Sequence, residues 1–187
     1  MAVRIRNRFH AAGRERTPAE LASVIALLSW KLAIESIKRM REARFDIDLG
    51  RPYFDHVVET MAFHAHYADR VAYEKLGPQK RGEFTTALAK RMAEVIEDNA
   101  DMLLAATPPG ACQRHFLETF NTAGADYAAH GCDGMEPDFG FRRAYATRLS
   151  EGMPEKDKTW VYDQAMEIEA PQSVHAIRKT LDGLFQG

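Results

Sequence analysis

The stretch TPAELASVIALLSWKLAIESIKRMREARF, from Thr17 to Phe45, reads as one long helix and decides the fold class. Thr17 stands as N-cap, Pro18 fills the first helical position, and Glu20 sits where a capping box needs it. Lys38, Arg39, Arg41 and Arg44 gather at the other end, where cations meet the partial negative charge of a helix C-terminus. At 100° per residue, Leu21, Ile25, Leu28 and Leu32 form one side, and Ala26, Trp30, Ala33 and Ile37 form another. Val24, Leu27 and Ile34 widen the apolar surface, leaving a wet sector of Glu20, Lys31, Glu35, Lys38 and Glu42. A helix this apolar is covered by several neighbours. It is therefore either the central helix of the fold or part of a contact between copies of the chain, with Leu27, Trp30 and Ile34 as contact residues.

Outward from this helix, punctuation by Gly and Pro divides the rest of the chain. Pro52 opens a second helix over about 52–76, and Gly77-Pro78 breaks it. A third runs to about residue 105, where Thr107-Pro108-Pro109-Gly110 stops it. A fourth covers about 111–130 and ends at Gly131. After a turn-rich stretch that includes Asp133-Gly134, shorter helices are expected over about 141–151, 156–169 and 172–185, separated by Pro154 and Pro171. The expectation is an all-α protein: an antiparallel bundle of three or four long helices with shorter C-terminal helices flanking it. Residues 1–16 read as a basic arm. Residues 17–187 read as a single domain, with the core bundle over about 17–131 and the C-terminal helices over about 140–186.

Composition fits this reading. The 187 residues are 45% hydrophobic and 28% charged, as in an ordinary globular chain. Cys112 and Cys132 are too few for a disulfide framework. If both lie on or beside one helix, they stand roughly 30 Å apart. The most apolar stretch, residues 21–34, is interrupted by Lys31 and too short to cross a bilayer. The opening is Arg-rich but has no apolar signal region, and it lacks the serines of an organelle transit peptide. A cytoplasmic protein without a membrane partner is the expectation. The net charge of −2 hides an asymmetry. Through Arg44 there are ten basic and four acidic residues, about +6, which leaves about −8 for the remainder.

Faces on the other helices constrain any site. In the third, Leu88, Met92, Val95, Ile96, Asn99, Met102 and Leu103 share one side. Glu94, Glu97, Asp98 and Asp101 share the opposite side, either a solvated stripe or a dock for a basic partner. The second packs through Phe54, Val57, Val58, Met61, Ala65, Ala68 and Ala72. His64 lies at the edge of that face with Tyr53, Thr60 and Tyr67, while His56, Glu59, His66 and Arg70 point away. The fourth packs through Cys112, Phe116, Phe120, Ala123 and Tyr127.

Motifs of chemistry are incomplete. Di-iron bundles project Glu-x-x-His pairs inward; here the order is reversed, His56-x-x-Glu59 and His115-x-x-Glu118, and both pairs fall on the polar sides of their helices. His64 and His66 diverge by about 200° on a helix and cannot share an ion. His130, Cys132 and Asp133 gather a base, a thiol and a carboxylate, but a helix end and a turn explain the same residues. Nucleotide-binding glycine loops and the Gly-x-Ser-x-Gly elbow are absent. The sequence thus leads to a non-catalytic interaction protein, a homo-oligomer with a dimer favoured, holding no metal or cofactor. One alternative is a helical-bundle enzyme or a small-molecule or metal binder with an inter-helix pocket near His64, Tyr67 and Tyr53. Another is nucleic-acid binding through Arg4, Arg6 and Arg8, which an overall pI of about 6.4 disfavours.

Overall fold

The computed structural model describes residues 16–48 and 50–186; Arg4, Arg6 and Arg8, and the arm expected to carry them, lie outside the described residues. The first helix, α1 (Pro18–Glu42), begins at the capping box. The Thr17 hydroxyl accepts from the Glu20 amide at 3.2 Å, and the Glu20 carboxylate accepts from the Thr17 amide at 2.9 Å. Gly50, at a φ of 108° open to glycine, turns the chain into α2 (Arg51–Lys75). Then come α3 (Pro78–Asp98) and α4 (Ala111–Ala128). A small antiparallel hairpin, β1 (Cys132–Asp133) and β2 (Glu136–Pro137), follows. Gly134 and Met135 both have positive φ at its tip, the backbone that a tight two-residue hairpin turn requires.

The chain closes with α5 (Phe139–Glu151), α6 (Lys158–Gln164) and α7 (Ala170–Phe185). Pro154 separates α5 from α6, as expected. Pro171 does not separate α6 from α7: a π-helical turn, Ala165–Glu169, joins them without a break. A proline ring clashes with the carbonyl four residues back in an α-helix. The wider π winding directly before Pro171 relieves that contact and lets the helix continue. The third helix also departs from expectation by ending at Asp98. The Asn99 side chain donates to the Val95 carbonyl at 2.7 Å, competing with the helical ladder. A short 3-10 turn, Ala100–Met102, follows and leaves Met102 exposed rather than in the core.

The centre of the molecule is α2, not α1. Helices α1, α3, α4, α5 and α7 all pack against it. Ion pairs and hydrogen bonds fix their directions. Asp55 meets His115, His66 meets Phe120 and Arg70 meets Tyr127, so α4 runs parallel to α2. Glu59 meets Arg148 and Thr60 meets Tyr145, so α5 runs antiparallel. The C-terminal helices α5 and α7 flank the bundle by packing against α2. Ala62, Ala65, Ala68 and Ala72 are all buried on α2 and let neighbouring backbones come close. Phe63 stacks on Tyr145 with ring centroids 4.3 Å apart, beside Phe141 and Tyr127, joining α2, α4 and α5 through aromatic packing. One apolar core continues from Leu21 to Leu181.

The acidic stripe of α3 is not wholly solvated. The Glu97 carboxylate accepts from the backbone amides of Gly110, Cys112 and Gln113 and caps the N-terminus of α4, where no side chain of α4's own N-cap does so. Glu94, Asp98 and Asp101 remain exposed, Glu94 paired with Arg91 at 2.7 Å. Glu97→Ala is expected to lower stability to denaturant by about 1–2 kcal/mol, because it removes a charged cap. Glu94→Ala should stay within about 0.5 kcal/mol, being a surface pair. Equal denaturation midpoints for the two variants would remove the capping role.

Candidate functional site

Three histidine-bearing regions were legible in the sequence, and the fold sorts them by what surrounds each ring. His56, Thr60 and His64 lie at successive i, i+4 positions on α2 and are all buried. His56 Nε2 lies 3.4 Å from the Ser36 hydroxyl of α1, while its Nδ1 has no partner among the described residues. Thr60 shares a hydrogen bond with the Tyr145 hydroxyl at 3.2 Å. Among the described residues, neither ring nitrogen of His64 has a partner in hydrogen-bond geometry, and the neighbouring Ser29 hydroxyl is equally unpartnered. This polar seam runs through an apolar core. Burial pushes both His56 and His64 down to about 3, for His64 against a small opposing pull from the Ser29 backbone. Both rings are neutral at neutral pH and too weakly basic to take a proton there.

The side of α2 expected to be wet is a recess of about 240 Å³ between α2, α4 and α5. It gathers His56 and Glu59 from one reversed pair with His115 from the other, although Glu118 is exposed and lies apart. The assignment of His56, Glu59, His66 and Arg70 to solvent is therefore corrected: α5 and α4 cover that side. Arg148 of α5 holds Glu59 through two bonds of 2.9 Å and reaches Asp126 of α4 at 3.0 Å. Burial raises the Glu59 pKa and Arg148 pulls it back. His66 bonds the Phe120 carbonyl at 2.9 Å and stacks on the Phe120 ring. Arg70 donates to the carbonyls of Tyr127 and His130 at the end of α4.

His115 Nε2 sits 3.1 Å from Asp55 and also 3.2 Å from an Arg51 guanidinium nitrogen. A carboxylate orienting a histidine is one half of a general-base arrangement. Here Arg51 is bound to the same carboxylate at 2.8 Å and crowds the same ring nitrogen, so the three groups form a clamp between α2 and α4. The recess is also smaller than the 300 Å³ or so typical of small-molecule sites. Among the described residues, no group of three or more His, Cys, Asp or Glu is placed to hold a metal ion.

Other sequence candidates are dispersed. Tyr67 donates to the Met135 carbonyl of the hairpin at 2.9 Å. Tyr53 lies near Arg41, and His64 faces Ser29, so these three candidates line no shared site. Cys132 and Cys112 are both free. Burial pushes the Cys132 thiol up to about 11, the opposite of an activated nucleophile. A Cβ on Gly140 would stand 2.2 Å from the His130 ring, so a larger residue at that point of α5 requires the ring to move. On α1, Leu27 is 54% exposed; Val24, Trp30 and Ile34 are half-buried beside it. Arg142, His175 and Lys179 line a cleft between the hairpin, α5 and α7 and did not stand out in the sequence. The only signal was the i, i+4 spacing of His175 and Lys179. No helix among the described residues is long and apolar enough to cross a membrane.

The seam sets a pH dependence. In the unfolded chain His56 and His64 bind protons near pH 6.5, and in the folded protein only near pH 3. Lowering the pH through that window protonates the unfolded state alone, so stability is full above it and falls by about 1.4 kcal/mol per pH unit for each ring. Equilibrium denaturation between pH 7 and pH 5 should show this fall, to which His66, also lowered by burial, adds, and His64→Leu should reduce the slope by one ring's share. An unchanged slope in that variant would refute the neutral buried state. In comparisons with known proteins, no protein family, no curated protein and no solved structure matches this chain.

Proposed function

We propose that this chain is a non-catalytic interaction protein that works as a homodimer, with the outer strip of α1 as its contact. The observation that carries this reading is Leu27, more than half exposed in the middle of a helix whose opposite side, from Leu21 and Ile25 to Ile37 and Met40, is buried. A single exposed leucine is ordinary. Leu27 is not single: Val24, Trp30 and Ile34 lie half-covered along the same outer side, and a second copy would extend their burial.

The strip is complementary to itself. In a two-fold antiparallel pairing that crosses at the level of Ser29, Val24 meets the partner's Ile34 and Leu27 meets the aliphatic stem of the partner's Lys31. Glu20 then comes opposite the partner's Lys38, and each of these contacts occurs twice. The charged groups of the α2–α4–α5 recess favour the non-catalytic reading, because Arg51, Asp55, Glu59, His115 and Arg148 are engaged with one another.

Light scattering coupled to size exclusion should give twice the chain mass of 21.1 kDa at micromolar concentrations. Leu27→Glu should give the monomer with an unchanged helical circular-dichroism spectrum. A wild-type chain that stays monomeric throughout that range, or a Leu27→Glu variant that remains dimeric, sinks the proposal.

A further inference from the structure

A cleft of about 750 Å³ opens between β2, α5 and α7, within the size range of small-molecule sites. Its charges are unevenly matched. Arg178 pairs with Glu136 across the cleft and approaches Asp182 at 3.9 Å. Asp182 is also reached by Lys75 at 3.8 Å. Both carboxylates of the wall are thereby engaged with cations. Arg142 of α5 and Lys179 of α7 have no hydrogen bond or ion pair from their side chains among the described residues, and the Arg142 Nε is fully buried without a partner.

A guanidinium that has surrendered water from one of its N–H groups without gaining an acceptor is unfavourable as it stands. Its planar fork matches the paired oxygens of a carboxylate or phosphate. Lys179 and His175, one helical turn apart on α7, offer further cationic or donor groups to the same space. Pro137, Pro171 and Val174 supply apolar wall beside them. We propose that this cleft binds a small organic anion, its carboxylate or phosphate oxygens held by Arg142 and Lys179 and its body against Val174 and the two prolines. The cleft shares no residue with the outer strip of α1, so this site and the homodimer stand or fall separately.

Isothermal titration calorimetry with phenyl phosphate, benzoate, inorganic phosphate and uncharged benzyl alcohol tests the proposal. Phenyl phosphate or benzoate should bind, the inorganic ion more weakly, and benzyl alcohol not measurably. Arg142→Met and Lys179→Gln should each weaken binding by about tenfold or more, while Arg143→Gln, outside the cleft, should leave it unchanged. Arg142→Met has a second readout: without ligand it should melt at the same temperature as wild type or higher, since it removes a buried N–H that has no acceptor. Should that variant unfold, Lys179→Gln decides on its own. The Leu27→Glu variant should bind as wild type does. Absence of heat with all the anions at millimolar concentration, or equal affinities in wild type, Arg142→Met and Lys179→Gln, overturns the site.

Discussion

Enclosure of α2 on every side is the constraint from which the rest of the structure follows. Surrounded by α1, α3, α4, α5 and α7, α2 has no exposed residue between Tyr53 and Ala72. Yet α2 carries His56, Glu59, Thr60, His64, His66 and Arg70. A buried polar group without a partner costs more than its hydrogen bond would return. The surrounding helices are therefore positioned by what these side chains need. Arg148 of α5 sits over Glu59, the Tyr145 hydroxyl over Thr60, the Phe120 carbonyl over His66 and the last carbonyls of α4 over Arg70.

The same logic explains the ion pairs elsewhere. Glu169, in the π turn, is almost wholly buried and accepts from both Arg39 of α1 and Gln164. Asp69 of α2 binds Arg81 and Thr85 of α3 across the Gly77-Pro78 turn. Glu97 holds the start of α4. Each of these contacts joins two elements, so charge in this protein mostly fixes the register of helices. Against that background an arginine that fixes nothing, Arg142, is conspicuous. The imidazoles of the seam are the other exception: their unpartnered nitrogens are tolerated because a neutral ring is far less costly to bury than a charged one.

Two surfaces escape this internal use of polarity. One is the outer strip of α1, where the ring of helices around α2 ends and Leu27 faces away from it. The other is the cleft beside α7, whose cations outnumber the acids available to them. They lie on different elements and differ in chemistry, one apolar with alternating charge, the other basic with an apolar wall. Self-association is the proposal for the first and small-anion binding the proposal for the second.

Local rules decided which segments are helices and where most of them start. The Thr17 capping box, Pro52, Gly77-Pro78 and the prolines before α4 act over a few residues and need no distant partner. The apolar faces of α3 and α4 were legible for the same reason, since Leu88, Met92, Val95, Cys112, Phe116 and Ala123 keep helical spacing and are buried. Tertiary structure alone decided which helix lies at the centre. By composition α1 is the greasier, so it read as either central or a contact between copies, whereas α2 looked half wet because His56, Glu59, His66 and Arg70 are polar. Whether such residues face water depends on whether Arg148, Phe120 and Tyr127, more than fifty residues further along the chain, arrive to cover them. Periodicity records the hydrophobicity of a side chain, but not the hydrogen-bond partner that lets a polar one be buried.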